Sequence, residues 1–352
     1  MTDFIGWLDQ LDPVTAPAVA GTKMGRLTEL SHLGLKVPRG FTVTVDAYTH
    51  HCAESGLDIV VAEQLSTMTE PTDHGRLAVV AQTIRTKIEL TPVVPTLAAA
   101  IADAYAELSF RCSEINQPVA VRSSATEEDS AQVSFAGIFD TYLGMSGETQ
   151  VLAAVRRCWA SLFSARALGY RLERGLSHGD MPMAVGVLEL VPARVSGVAF
   201  SIHPVSAKRD RIVIEGTWGF GQAVVQGDVT PDHIEVCKLD RRVLAYDVAD
   251  KRVVSTFDYA TSGVVETDMP ARFRNARVLD EEEIGAIADA VCVIEDHYGH
   301  PVDVEWVIDR ARRTGDPVSI VQARPVTAAT EDCGTGWDPG AYAAKYAFGE
   351  QS

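Results

Sequence analysis

Apolar positions in the first half of the chain recur mostly at helical spacing, and those in the second half mostly alternate as in strands. Residues 1–18 mix polar and apolar positions around prolines and read as an ordered lead-in. The stretch AGTKMGRLTELSHLGLKVPRGFTVTVDAY (20–48) predicts a glycine-containing turn, a helix ending near Gly34, a turn at Pro38 and Gly40, and the short strand FTVTV. Helical patterns follow around 58–68, 75–90 and 95–110; in the last, Leu97, Ile101, Tyr105 and Leu108 fall on one face. PVAVRSS (118–124) reads as a buried strand entering a polar loop, and residues 132–144 as a glycine-bearing loop followed by the strand DTYLG. Residues 149–174 predict one long amphipathic helix with Trp159, Leu162 and Phe163 in the core.

Strand character then dominates. MAVGVLELV (183–191), SGVAFSI (196–202) and RIVIEG (211–216) are β-branched or alternating, and GTWGFGQAVVQG (216–227) is a Gly-rich turn leading into a short helix or strand. HIEVCKL, RVLAYDV and VVSTF predict a meander. DEEEIGAIADAVCVIEDHYG (280–299) is a helix whose acidic first turn complements its dipole and whose Ile284, Ile287, Val291 and Ile294 share a face. A closing hairpin spans VDVEW and VQARPVT, and residues 328–352 look like a tail or linker.

The bulk numbers narrow the class. A chain of 352 residues, 46% hydrophobic and 22% charged, is ordinary for a globular protein of two or three domains or lobes. A net charge of −17 argues against a general nucleic-acid binder, though not against ATP, which needs only local positive charge or a metal. No apolar run reaches membrane-spanning length and the N-terminus lacks a secretory signal, so neither a membrane nor a nucleic acid is an expected partner. The six cysteines form no Cys-x-x-Cys pair and no zinc spacing; reduced thiols in a cytoplasmic protein are expected.

The chemistry concentrates in a few segments. In the closing hairpin, Asp303 and Glu305 lie two apart, as do Gln322 and Arg324, so each pair falls on one strand face. Carboxylate and amide oxygens are hard ligands for Mg²⁺, and a guanidinium fits phosphate oxygens. The bland reading is a half-exposed hairpin with a surface salt bridge. AGTKMG (20–25) precedes a helical pattern and offers Lys23; a solvated lysine at a helix start is the commoner outcome, and the Walker A spacing is absent. VAVRSSATEEDSAQVSFAGIFDTYLG (119–144) delivers Arg122 into Ser123, Ser124 and Thr126, either a phosphate cradle or plain turn and capping chemistry. EGTWGFGQAVVQGDVTPD (215–232) is glycine-rich but lacks the dinucleotide fingerprint.

Taken together, GTKMGRLTEL…LGLKVPRGFTVT, VRSSATEEDS…SFAGIFDTYL, SGVAFS, EGTWGFGQAVVQGDVTPD and DVEW…VQARPVT resemble the N-terminal nucleotide-binding domain of the phosphoenolpyruvate synthase and pyruvate phosphate dikinase family, which rifampin phosphotransferase shares. The resemblance covers roughly residues 15–328. It implies an α+β ATP-grasp fold with ATP and Mg²⁺ between two lobes, here 1–190 (with a helical insertion) and 191–328, before the tail at 329–352. It also implies that Lys23 and Arg122 bind phosphate, with Ser123 beside them. Gly137 would belong to a phosphate-covering loop, Glu215 would run near the nucleotide, Glu305 and Gln322 would hold the metal, and Arg324 would sit on the β- and γ-phosphates. Lys23, Arg122 and Arg324 are therefore the expected catalytic cations. The sequence departs from the family pattern at Gly21-Thr22 (a double glycine elsewhere), at Leu188 (a glutamine) and at His203 (an asparagine), and Leu188 bears on base or ribose contacts.

Relatives of this kind pass a pyrophosphoryl group from ATP to a histidine on a swivelling domain. None of the nine histidines lies in the matching Thr/Ser-x-His-Ala-type context, and the acceptor barrel is absent from the sequence. The expectation is an excised domain or a separate subunit, most like the ATP-binding subunit of phenylphosphate synthase. It would work through a phosphohistidine-bearing partner and release AMP and phosphate, with phenol the first acceptor and pyruvate the second. A phosphoenolpyruvate synthase domain, an antibiotic phosphotransferase domain and a non-catalytic ATP-sensing subunit are the alternatives.

Overall fold

A computed structural model of the chain describes residues 4–68, 74–126, 129–130, 133–134, 140–174, 182–221 and 229–326. The fold is mixed α/β with antiparallel sheets, and it divides into two compact units, residues 1–29 with 39–190 and residues 30–38 with 191–352. Leu30–Pro38 groups with the second unit because Leu30 is buried in that unit's core and Ile320 N–H donates to the Lys36 carbonyl at 2.8 Å.

The first unit is built on a five-stranded sheet in the order β1 (Ile5–Trp7), β2 (Gly40–Val43), β7 (Met183–Glu189), β3 (Val119–Ala125), β6 (Thr141–Met145), while β4 (Asp129–Ser130) and β5 (Val133–Ser134) form a separate antiparallel pair. Its core joins Val119, Val121, Val185 and Val187 to helices α4 (His74–Leu90), α5 (Pro95–Arg111) and α6 (Glu148–Ser161). The expected long helix 149–174 is instead two, α6 and α7 (Ala165–Arg174). Ser161 Oγ donates to the Cys158 carbonyl at 2.6 Å, and Ser164 Oγ caps the new helix by accepting from Ala167 N at 3.1 Å. Breaking the helix lets Trp159, Leu162 and Phe163 all be buried. A further helix, α2 (Val45–Ser55), follows β2 where the sequence reading placed none. Thr44 caps it at Ala47 N (3.2 Å), and Gly56 ends it in the left-handed region, before α3 (Leu57–Ser66).

Helix α1 (Ala16–His32) starts earlier than the sequence pattern indicates and is interrupted at Gly21, where φ is 74° and ψ 169°. An added Cβ there would lie 2.0 Å from the Ser124 carbonyl oxygen, so only glycine permits the approach of α1 to β3. The segment restarting after Gly21 takes its cap from a distant strand, with Ser124 Oγ accepting from Met24 N at 3.2 Å.

In the second unit a six-stranded sheet runs β11 (Val243–Asp247), β10 (Asp232–Cys237), β9 (Arg211–Trp218), β8 (Ala193–Phe200), β14 (Val302–Asp309), β15 (Ser319–Pro325). The meander expected after residue 232 is split. β10 and β11 join this sheet, whereas β12 (Val253–Asp258) pairs with an unforeseen β13 (Gly263–Asp268) as a separate hairpin. After the short helix α8 (Ala271–Arg274) comes α9 (Glu281–Tyr298). It opens on a capping box in which Asp280 accepts from Glu283 N and Glu283 accepts from Asp280 N. Ile284, Ile287, Val291 and Ile294 are buried as the periodicity requires, packed with Val195, Ile214, Val304 and Trp306 of the sheet. Gly197 and Gly216 make room for Trp306, whose ring would lie 2.7 Å and 3.2 Å from Cβ atoms added there. Among the described residues no single helix is long and apolar enough to cross a membrane. Five cysteines there are free thiols; Cys333, Gly137 and the 328–352 segment lie outside the described residues.

Candidate functional site

Strand alternation decides which side chains of the second unit can act together. One face of its sheet is committed to the core with α9. The other carries, strand by strand, His233 and Glu235, Val213 and Glu215, Val198 and Phe200, Asp303 and Glu305, and Gln322 and Arg324. Register, which spacing alone does not give, aligns these into rows. Glu305 stands directly opposite Gln322, and Asp303 directly opposite Arg324. On the other flank Glu305 pairs with Val198, Val198 with Glu215, and Glu215 with His233. Four of the residues expected from sequence, Glu215, Glu305, Gln322 and Arg324, therefore share one face.

The hairpin does contain an ion pair, but not the surface one of the bland reading. Arg324 Nε donates to Asp303 Oδ2 at 2.7 Å, with the two side chains only 10% and 4% exposed. Burial of such a pair strengthens its mutual orientation and makes loss of one partner costly. Gln322 is buried and Glu305 half-buried. A small apolar island of Val198, Phe200 and Val213 separates these groups from Glu215, which is buried with its Oε1 3.6 Å from His233 Nδ1.

In the first unit β3 performs a similar sorting. Val119, Val121 and Ala125 face the core. Alternation puts Ser123 on that same side, where its hydroxyl donates to the Asp140 carbonyl at 3.0 Å. Arg122 and Ser124 fall on the other side, so Arg122 and Ser123 do not line one surface, contrary to the reading of a continuous hydroxyl cradle. The Ser124 hydroxyl and the Thr126 backbone carbonyl are spent on α1. Ser124 accepts from Met24 N, and the Thr126 carbonyl accepts from Thr22 Oγ1 at 3.0 Å. These contacts hold the restarted helix, and with it Lys23, against the strand that bears Arg122. Lys23 also lies close enough to Cys158 to oppose the rise in that buried thiol's pKa, which burial drives well above the usual range.

Of the three departures, Gly21 sits at the break in α1, and the other two have structural roles as well. Leu188 is buried in β7 opposite Ala120 and Gly40, and a Cβ at Gly40 would come within 2.7 Å of it. His203 does what an asparagine does in a turn. Its Nδ1 accepts from Val205 N and Ser206 N, both at 3.2 Å, while burial lowers its pKa and favours the neutral ring that can accept. Sequence reasoning missed His233 and the fully buried Lys251. Lys251 Nζ donates to Asp232 Oδ1, and Asp232 also accepts from Tyr246 Oη (3.1 Å), Ala249 N (3.0 Å) and Val278 N (3.1 Å). A lone lysine in a polar loop gave no signal for burial.

The family model for the pyruvate phosphate dikinase AMP/ATP-binding domain matches residues 17–335. This chain belongs to that family. The domain is 40% identical over 327 residues to a probable phosphoenolpyruvate synthase of Methanothermobacter thermautotrophicus, covering 93% of the chain and 46% of the relative. It is 38% identical over 324 residues to a probable phosphoenolpyruvate synthase of Methanocaldococcus jannaschii (92% of the chain, 27% of the relative). It is 35% identical over 347 residues to the phosphoenolpyruvate synthase of Aeropyrum pernix (91% and 42%). The domain thus spans less than half the length of each of these relatives. Family membership makes it an AMP/ATP-binding domain.

Proposed function

We propose that the domain binds ATP with Mg²⁺ in an ATP-grasp arrangement and transfers a pyrophosphoryl group to a histidine borne by another domain or subunit, releasing AMP and, later, phosphate. The observation that carries this reading is the register of β14 and β15, which sets a carboxylate and an amide oxygen opposite each other beside a carboxylate-aligned guanidinium. The donor set suits Mg²⁺. Glu305 and Gln322 offer hard oxygens, and phosphate oxygens and water would complete the ion's shell. When bound, the ion supplies charge neutralisation along the polyphosphate.

The chain's own residues bind and orient. Arg324, fixed by Asp303, is the cation of the second unit suited to neutralise phosphate charge, and the family resemblance gives the same role to Arg122 and Lys23. Ser123 acts by tying β3 to Asp140. The relatives are named phosphoenolpyruvate synthases, which favours pyruvate over phenol as final acceptor; a phenylphosphate synthase-like role now ranks second. Calorimetry with a non-hydrolysable ATP analogue should give binding that weakens on chelation. With a histidine-bearing partner domain the nucleotide product should be AMP; ADP would indicate a simple γ-phosphate kinase and end this reading.

A further inference from the structure

On the α9 side of the second unit's sheet, away from the row that bears Glu305 and Gln322, a cavity of about 630 Å³ opens between β11, the start of α9 and the turn after β14. That volume is in the range of small-molecule sites. Its acids are largely spent within the protein. Glu282 accepts from both Nη groups of Arg312, at 2.8 and 2.9 Å, and from Gly315 N at 3.1 Å. Glu283 accepts from Arg194 and from Asp280 N, and Asp280 Oδ1 accepts from Glu283 N at 2.9 Å. Beyond the exposed residues Asp280 and Glu281, the groups left uncommitted are donors. The Arg277 guanidinium lies 4.5 Å over the Tyr246 ring and pairs with no carboxylate among the described residues. The Tyr246 hydroxyl, bonded to Asp232 and Val278 N at 3.1 Å each, keeps that ring in place. Arg312 is 3% exposed, and its Nε–H has no hydrogen-bond partner. A buried donor of this kind is costly until it meets an acceptor. The 18-residue α9 adds the partial positive charge of its first turn.

We propose that this cavity is a second ligand site, independent of the nucleotide, that takes a small organic monocarboxylate: its carboxylate on Arg277 and the Arg312 Nε–H, its apolar body against Val243, Leu279 and Ile284. A guanidinium matches a carboxylate in shape and charge, and the pair is stronger than a neutral hydrogen bond. The charge balance sets the class. The four acids at 280–283 outnumber the three lining arginines, 194, 277 and 312, so one ligand charge is held by the local donors while a second is repelled. Polyphosphates are thereby excluded from this cavity, and a neutral ligand leaves the Arg312 Nε–H without a charged acceptor.

The test is ¹⁵N NMR of the arginine Nε–H groups of the full chain, with benzoate, benzamide and inorganic tripolyphosphate as probes. The Arg312 signal is identified by its loss in Arg312→Lys. Benzoate should shift it saturably, with a Kd of about 1 mM or below, and to the same extent with a magnesium-loaded ATP analogue present. Read from the same signal, benzamide and tripolyphosphate should bind about tenfold more weakly or not at all. Arg277→Gln should weaken benzoate about tenfold through loss of one charge-assisted contact, whereas Arg313→Gln, an exposed neighbour, should leave it unchanged. If Arg312→Lys fails to fold, benzoate calorimetry on wild type and Arg277→Gln carries the decision. Absence of benzoate binding, or binding that Arg277→Gln leaves intact or the ATP analogue displaces, overturns the proposal. Benzamide or tripolyphosphate binding as tightly as benzoate overturns the monocarboxylate class.

Discussion

Gly21→Ala should be among the most damaging single substitutions in the first unit, and the structure says by how much. At φ 74° and ψ 169° the residue occupies a region essentially confined to glycine, and forcing a side chain there costs about 1–3 kcal/mol. The added Cβ would meet Ser124 O at 2.0 Å and Ser124 Oγ at 2.4 Å. Relief requires α1 and β3 to separate, an overpacking penalty of about 1–3 kcal/mol. It also breaks the Ser124–Met24 cap, worth about 1 kcal/mol. The sum is about 3–7 kcal/mol. Gly56 is the matched control: it lies in the same unit, at φ 70° and ψ 16°, with nothing within 4 Å of its would-be Cβ. Gly56→Ala should cost only the left-handed penalty of about 1–2 kcal/mol. Urea unfolding of both variants, followed by fluorescence of the buried Trp159, reads the difference. A gap of about 2 kcal/mol or more is expected, together with weakened nucleotide binding in Gly21→Ala, because Lys23 rides on the displaced segment. Equal destabilisation by the two variants would refute the close-approach argument.

Further outcomes are open to measurement. His51 is fully buried against Trp159, neither ring nitrogen has a hydrogen-bond partner, and burial lowers its pKa from 6.5 to about 4. The unfolded chain therefore binds the extra proton between these values. Stability should be full above pH 6.5 and fall toward pH 4, by up to about 3 kcal/mol. A melting series on His51→Leu should lack that part of the slope. Glu305→Ala should cut phosphoryl transfer to a partner roughly 10²–10³-fold with an unchanged melting curve; near wild-type turnover would exclude the β14–β15 hairpin as the metal site. Asp303→Asn should resemble Arg324→Ala in turnover if Asp303 serves to aim the guanidinium, and a silent Asp303→Asn would deny it that role. Lys251→Met leaves the buried Asp232 without its cation and should destabilise the second unit by about 3–5 kcal/mol, read by denaturant unfolding.

What the sequence determined by itself is what depends on neighbours a few residues away. The 3.6-residue period of 281–298 and its Asp280–Glu283 capping box are local, so α9 was legible almost to its ends. The two-residue spacing of Asp303 and Glu305, and of Gln322 and Arg324, fixes a shared strand face before any partner is known. The interruption at 162–164 was hidden because buried Leu162 and Phe163 continue the apolar pattern that a longer helix would show. Pairings across distance were decided only by the tertiary structure. Nothing local tells Glu305 that it faces Gln322 rather than a neighbour, or continues the row through Val198 to Glu215 and His233, because register depends on how whole strands fit. Nor does it reveal that Ser124 is a helix cap for Met24, a hundred residues earlier in the chain, or that Gly21 is needed to let the two meet. Alternation along β3 could have separated Ser123 from Arg122 in the sequence, and the attraction of a run of hydroxyls hid it. Burial of His51 and Lys251 is set by elements that close over them from elsewhere in the chain, which is why their charges became physical questions only once the fold was in view.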